Sequence, residues 1–453
     1  MNRLLTVLAM VFIATSAFSQ ISPAITSWLR NTTGITGRHY VKGNSTPIND
    51  SYPANVQKVQ FTANHVYVSC SGIPAYIIGP YQDGNPNQGG NNNNIYKITL
   101  APVKNTGTPT NTTGGTIGVF INGVSLFDYR DGVSYSLAAG KDQGGPGGGM
   151  GDGVWNRDAV VAERVGFDCA KGHPAMTNYH HHQNPSAFNL DLNVISDVCD
   201  LYLADGLYVI DSAIHSPLLG YAYDGFPIYG AYAYKNADGT GGVTRMRSSY
   251  SLRDIMVRTH YADGTDVKDG PAVNAAYPLG YYREDYQYNP TSAATPDYLD
   301  EHNGRFCVTP DYPDGIYCYF ATVDQNWNSA YPYVVGPTFY GVRSVTRVNA
   351  VNEPTTTFTG VTSTEDEFEI EQANIHIYPN PTADLIIIQA KTMLEKSCRI
   401  ELADANGKIV LSKDFYQGST ICHLETDTLY NGIYFLTVKN GGSGKTFKVI
   451  INR

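Results

Sequence analysis

Residues 118–127 read GVFINGVSLF, and residues 220–229 read GYAYDGFPIY. In each, an Asn-Gly or Asp-Gly pair (Asn122-Gly123, Asp224-Gly225) is flanked by apolar, strand-forming residues. That pattern is a strong short-range hairpin signal, because the favoured tight turns need left-handed backbone. Two such units suggest a duplicated β-scaffold. The composition agrees: 453 residues include 34 Tyr, 16 Phe and 45 Gly, and only 16% are charged. Few charges with many Tyr, Thr, Asn and Gly favour short strands and tight turns over long helices. The expected fold class is mainly β. Val56 to Cys70 and Ala75 to Ile78 read as further strands, and NRDAVVAER (156–164) is the best helix candidate.

Two tracts punctuate this pattern. GNPNQGGNNNN (84–94) reads as a flexible surface loop. GKDQGGPGGGMGDG (140–153) lacks the Lys-Ser/Thr ending and the following helix of a phosphate cradle, so it also reads as a loop. Residues 346–372 are Thr-rich and acidic and are expected to be a linker. The whole chain carries 31 basic against 41 acidic residues; nine and seven of these lie in 373–453. The body is therefore the acidic part, and binding to a nucleic-acid backbone is not expected.

Residues 1–19, MNRLLTVLAMVFIATSAFS, combine a basic start, an apolar run and small residues before Gln20, as a secretory signal peptide does. No other stretch approaches the length of a membrane span, so no transmembrane segment is expected in the mature protein. At the other end, alternating apolar positions broken by Asn406-Gly407 and Asn431-Gly432 predict a small antiparallel β-sandwich over 373–453. Tyr378-Pro379-Asn380-Pro381, Gly407-Lys408 and Gly432-Ile433-Tyr434 resemble the C-terminal sorting domain of type IX secretion cargo in Bacteroidetes. The resemblance implies handling by the type IX machinery, passage across the outer membrane, and a secreted or surface location.

Chemistry concentrates in CAKGHPAMTNYHHHQNP (169–185), which holds His173, His180, His181 and His182. On a strand His180 and His182 share one face and His181 takes the other. A His-x-His pair can chelate a transition metal given one or two further ligands, for which His173 and His215 are the nearest candidates. Tyr179, His181, Glu163 and Asp168 are candidates for the surrounding shell; Glu163 and Asp168 can act as ligands or as acceptors that orient the imidazoles. Seven cysteines leave at least one unpaired; Cys307–Cys318 and Cys398–Cys422 are plausible bridges, and Cys318 is also a conceivable soft ligand.

Several blocks here resemble the YHYH domain of secreted bacterial and algal proteins: IGVFINGVSLFD (117–128), WNRDAVVAE (155–163), Tyr179-His180-His181-His182, HSPLLGYAYDGFPIYG (215–230), LDEHNGRFCVTPDYP (299–313) and YPYVVGPTFYG (331–341). The third position of the naming tetrapeptide is His181 instead of Tyr. Where relatives repeat it, this chain reads Tyr317-Cys318-Tyr319-Phe320, without His. The expected organisation is thus 1–19 signal peptide, 20–115 N-terminal β-rich region, 116–345 YHYH-like domain, 346–372 linker and 373–453 sorting domain.

Three functions compete. The first is a secreted protein binding a transition metal, copper favoured and zinc possible, for capture or redox chemistry; nothing in the sequence separates the two. The second is a surface module for carbohydrate or another extracellular polymer, with Tyr221, Tyr223, Tyr229, Tyr232 and Tyr234 stacking on sugar rings. Hydrolysis is the weakest, since the chain has neither a GxSxG elbow nor an HExxH motif.

Overall fold

The computed structural model describes residues 21–453 except 85–86, 145–148, 186–206, 209, 360–374, 392–393, 395–396, 406, 417 and 441–442. The expected signal peptide lies outside the described residues, as does the end of the expected linker. The described chain is strand-rich, and its helices are single turns.

A central eight-stranded sheet organises the body. In chain order its strands are β1 (Thr116–Phe120), β2 (Ser125–Phe127), β3 (Gly172–Ala175), β4 (Asn178–His181), β5 (Leu218–Ala222), β6 (Pro227–Tyr229), β7 (Gly304–Cys307) and β8 (Ile316–Phe320). Across the sheet they run β3-β4-β2-β1-β5-β6-β8-β7. The two quoted segments are the hairpins β1–β2 and β5–β6, and Gly123 and Gly225 supply the positive φ of their turns (84° and 88°). They meet in the middle, β1 antiparallel to β5. Each is then extended by a second hairpin laid parallel to it: β4 on β2, and β8 on β6.

The sheet is therefore a pseudo-symmetric pair. In β3–β4 the cross-strand partners are Gly172↔His181, His173↔His180 and Pro174↔Tyr179. In β7–β8 they are Gly304↔Tyr319, Arg305↔Cys318 and Phe306↔Tyr317. Both halves share one tight loop. Asp168 accepts from Ala170 N, Gly172 N and the Tyr179 hydroxyl, while Asp300 accepts from His302 N, Gly304 N and the Tyr317 hydroxyl. Lys171 and Asn303 hold matching positive φ of 60° and 64°. Gly172 and Gly304 are required for the same reason: a Cβ there would collide with the hydroxyl of Tyr179 or Tyr317.

A five-stranded sheet packs beside this one in the order Thr346–Arg347, Asn94–Thr99, His65–Cys70, Val56–Phe61, Thr356–Thr357. Its two flanking strands belong to the expected linker, whose first part thus pairs with the body. One continuous core runs from Ala24 to Phe358 and joins the N-terminal region to the central sheet. Ala75 to Ile78 is not a strand: Ile78 makes a single bridge to His39. The Gly-rich tracts are partly structured. Lys141–Gly144 is a strand, and Gly90 and Asn92 hydrogen-bond the Thr177 carbonyl at the tip of β3–β4. The expected helix is mostly something else, with Asn156–Asp158 a strand and only α1 (Ala159–Ala162) helical, N-capped by the Asp158 carboxylate.

The C-terminal unit is a sandwich with its own core. A three-stranded sheet (His376–Tyr378, Leu385–Gln389, Ile421–Glu425) faces a four-stranded one (Ile409–Phe415, Cys398–Ala403, Gly432–Asn440, Ser443–Ile451). Ile386, Ile388, Ile400, Leu402, Leu436 and Val438 fill the space between them.

The proposed cysteine bridges are not formed. Cys307 and Cys318 are free thiols, diagonal neighbours on adjacent strands whose side chains hydrogen-bond each other. Cys398 and Cys422 are thiols on different sheets of the sandwich. Cys169 is disulfide-bonded.

Candidate metal centre

The hairpin β3–β4 creates the site. Cross-strand pairing of His173 with His180 brings their rings to 4.7 Å, and the two-residue period puts His182 beyond the strand end on the same side as His180. The three imidazoles converge through their Nε2 atoms: His180 to His182 is 3.1 Å, and His173 to His182 is 3.4 Å. One nitrogen from each lies within 4.8 Å of the others, a grouping able to hold a metal ion. Glu163, just past α1, brings Oε2 to 3.2 Å from His173 Nε2 and 3.3 Å from His182 Nε2. The carboxylate assigned to the surrounding shell thus stands among the donor atoms.

Hydrogen bonds decide which nitrogens face inward. His180 Nδ1 lies 2.9 Å from the Asn178 carbonyl, and His182 Nδ1 lies 2.7 Å from the Asp128 carbonyl. A carbonyl only accepts, so each Nδ1 carries a proton, and when the ring is neutral its Nε2 presents a bare lone pair. Two such lone pairs facing one another at 3.1 Å repel unless a cation, a proton or a metal ion, lies between them.

The walls are aromatic. Phe127 stacks on His180 at 3.9 Å between ring centroids, and Phe167 sets its edge to His173 at 5.0 Å. The imidazoles are buried, whereas the Glu163 side chain retains 25% of its exposure and forms the solvent-facing rim. Burial, and then the neighbouring His173 and His182, drive the His180 imidazole well below its ordinary pKa. For His182 burial acts the same way, but the Glu163 carboxylate outweighs it and the pKa is raised. Burial would lift Glu163; hydrogen bonds from His173 and His182 hold it well below the usual carboxylate range instead.

The remaining sequence candidates are placed elsewhere. His181 points to the opposite face, its Nδ1 donating to the Lys171 carbonyl (3.2 Å) and its Nε2 accepting from the Tyr76 hydroxyl (2.8 Å). Burial pushes it down to about 3. Tyr179 and Asp168 brace the loop before His173: the Tyr179 hydroxyl lies 3.0 and 2.9 Å from the two Asp168 oxygens, and Gly79 N adds a further bond. His215 packs its ring against Tyr229 and Tyr234, next to the other half of the sheet. There Cys318 takes the place of His180, Arg305 of His173 and Phe320 of His182, so imidazoles converge in one half alone. The tyrosines considered as a sugar platform belong to the core: Tyr221, Tyr223, Tyr229 and Tyr232 are buried, and Tyr234 is half-buried.

Sequence reading missed the Asp128 carbonyl and Phe127. The repeated hairpin was the available signal, because β2 lies directly against β4.

The YHYH protein family model matches residues 95–332, and the secretion system C-terminal sorting domain matches residues 376–452. No curated protein matches the chain. No helix among the described residues is long and apolar enough to cross a membrane. The sorting domain marks the protein as type IX cargo, secreted or attached to the outer-membrane surface. With just over half its length matched, sheet and histidine hairpin included, the chain belongs to the YHYH protein family.

Proposed function

We propose that this protein binds a transition-metal ion outside the cell, with His173, His180 and His182 as ligands and Glu163 as the fourth donor. The observation that carries this reading is the convergence of three imidazole Nε2 atoms and the Glu163 carboxylate, with the other nitrogen of His180 and of His182 held by a backbone carbonyl. The donor spacing supports it. Metal–nitrogen and metal–oxygen bonds of about 2.0–2.1 Å give tetrahedral edges of roughly 3.3–3.4 Å. Four of the six donor–donor separations run from 3.1 to 3.4 Å, and the three nitrogens all lie within 4.8 Å of one another.

Three imidazoles and one carboxylate suit copper(II), zinc or iron. Copper is the ion we favour, since a given nitrogen site binds it most strongly among the divalent first-row ions; zinc is the competitor on geometry. The protein residues hold the ion, fix the imidazole tautomers and exclude water from three sides. Glu163 at the rim is where an ion enters, which fits capture; redox chemistry at the same ion is the alternative role.

The experiment is a competition titration of the untagged full chain with copper(II) and zinc against a chromophoric chelator, with electron paramagnetic resonance of the copper form. One tight copper per chain with hyperfine coupling from three nitrogens is expected. Binding no tighter than to an exposed histidine peptide would overturn the proposal.

A further inference from the structure

A cavity of about 550 Å³ lies where the central sheet meets the five-stranded one, lined by Thr116, Tyr223, Arg343, Val345 and Arg347 among others. None of these residues is on the histidine hairpin. Thr116 opens β1, Tyr223 directly follows β5, and Arg347 belongs to the first strand of the five-stranded sheet. Backbone bonds bring them together. Ser344 N and Val345 N both donate to the Tyr223 carbonyl, at 2.9 and 2.8 Å, while Tyr223 N donates to the Ile117 carbonyl at 2.8 Å. Val345 is buried and anchors the segment; Arg343 and Arg347, two residues before and after it, are exposed.

The charges here have no counter-charge. Arg343 lays its guanidinium over the Tyr223 ring, 5.5 Å from the centroid. Among the described residues, no carboxylate pairs with Arg343 or Arg347, and no side-chain hydrogen bond holds either guanidinium. Yet acidic residues outnumber basic ones in the body. The Tyr223 hydroxyl is buried as well and has no hydrogen-bond partner; its polar neighbours are Thr116 and the two arginines. Burial lifts this phenol to about 12 although all three neighbours lower it, so near neutral pH it is an O–H donor. A buried hydroxyl left unpaired is costly, and a ligand oxygen beside it removes that cost.

Two guanidiniums without an acid, joined by a neutral donor, select an oxyanion, because each fork offers paired N–H groups to two oxygens. The volume is that of a small-molecule site, larger than a bare ion fills. Hydroxyls at Thr116 and Tyr223 beside the cations match a ligand with hydroxyls beside its charge. We propose that this cavity binds an acidic sugar, its carboxylate, sulfate or phosphate held by Arg343 and Arg347 and its neighbouring oxygen by the Tyr223 hydroxyl. The site is independent of the metal centre.

The test is titration calorimetry of the untagged full chain with galacturonate, sulfated galactose and phosphorylated galactose, against galactose and inorganic sulfate. Saturable binding of at least one acidic sugar, weakening with added salt, is expected, and the tightest of the three identifies the oxyanion. Arg343→Gln/Arg347→Gln is expected to weaken binding by roughly tenfold or more. Tyr223→Phe keeps the ring under Arg343 and is expected to weaken it several-fold; thermal melts show that each variant folds. His180→Ala/His182→Ala is expected to bind like the wild type. No saturable binding of any acidic sugar, or unchanged binding in the folded arginine variant, would overturn the proposal. Equal affinity for galactose would overturn the oxyanion, and equal affinity for inorganic sulfate would overturn the sugar.

Discussion

Replacing His182 by Ala separates a metal centre from a set of packed histidines. An ion present at one hundred times its dissociation constant stabilises the folded state by about 2.7 kcal/mol. The continuous core spans Ala24 to Phe358. At about 2.1 cal/mol/K per residue, a unit of that size unfolds with an entropy near 0.7 kcal/mol/K, so the ion raises the thermal midpoint by about 4 °C. His182→Ala removes one donor and leaves the Asp128 carbonyl without its 2.7 Å partner, a cost of about 1–3 kcal/mol in the metal-free protein as well. The lowered midpoint is therefore not diagnostic. The difference between metal-loaded and chelator-treated protein is, and it falls to near zero in His182→Ala. His181→Ala is the control: it strips the Tyr76 hydroxyl and the Lys171 carbonyl of their partners and destabilises the fold, yet retains the metal-dependent shift. Scanning calorimetry of the three proteins with and without metal decides the matter. A full shift in His182→Ala, or its loss in a folded His181→Ala, would refute the reasoning.

Further outcomes follow from the same geometry. Glu163→Gln keeps the shape and removes the charge; metal affinity falls roughly tenfold or more, read by chelator competition, while stoichiometry persists at saturation. Tyr179→Phe takes a hydroxyl from the buried Asp168 carboxylate and costs about 1.5–3 kcal/mol in urea denaturation, with metal content unchanged. Burial pushes His215 down to about 4, so below pH 6.5 the unfolded chain takes up a proton that the folded chain refuses. Stability accordingly declines as pH falls from 6.5 toward 4, by about 2–3 kcal/mol from this group, and His215→Gln flattens that decline in melts at pH 7 and 4.5. Deleting 376–453 removes a unit with its own core; fractionation should find the truncated chain retained in the periplasm and still able to bind metal.

Local signals in the sequence were informative where local physics decides the outcome. Asn122-Gly123 and Asp224-Gly225 specify their turns by backbone conformation alone, and both hairpins form where expected. The period of two that separates His181 from His180 and His182 is equally local. What was not legible depends on contacts across the chain. Glu163 stands among the donors because α1 ends beside β3–β4, and His215 sits elsewhere because β5 and β6 belong to the other half of the sheet. Ala159–Ala162 is a single helical turn because Asn156–Asp158 finds a strand partner, which overrides its helical pattern. The tyrosines around Asp224-Gly225 read as an aromatic platform only until the sheet buries them.

The central claim is tested most directly by elemental analysis of the untagged full chain, produced with added trace metals and washed free of loose ions. One equivalent of copper or zinc per chain is predicted, lost from a folded His180→Ala/His182→Ala double variant. A folded wild type without metal above background, or a double variant that retains it, would contradict the account.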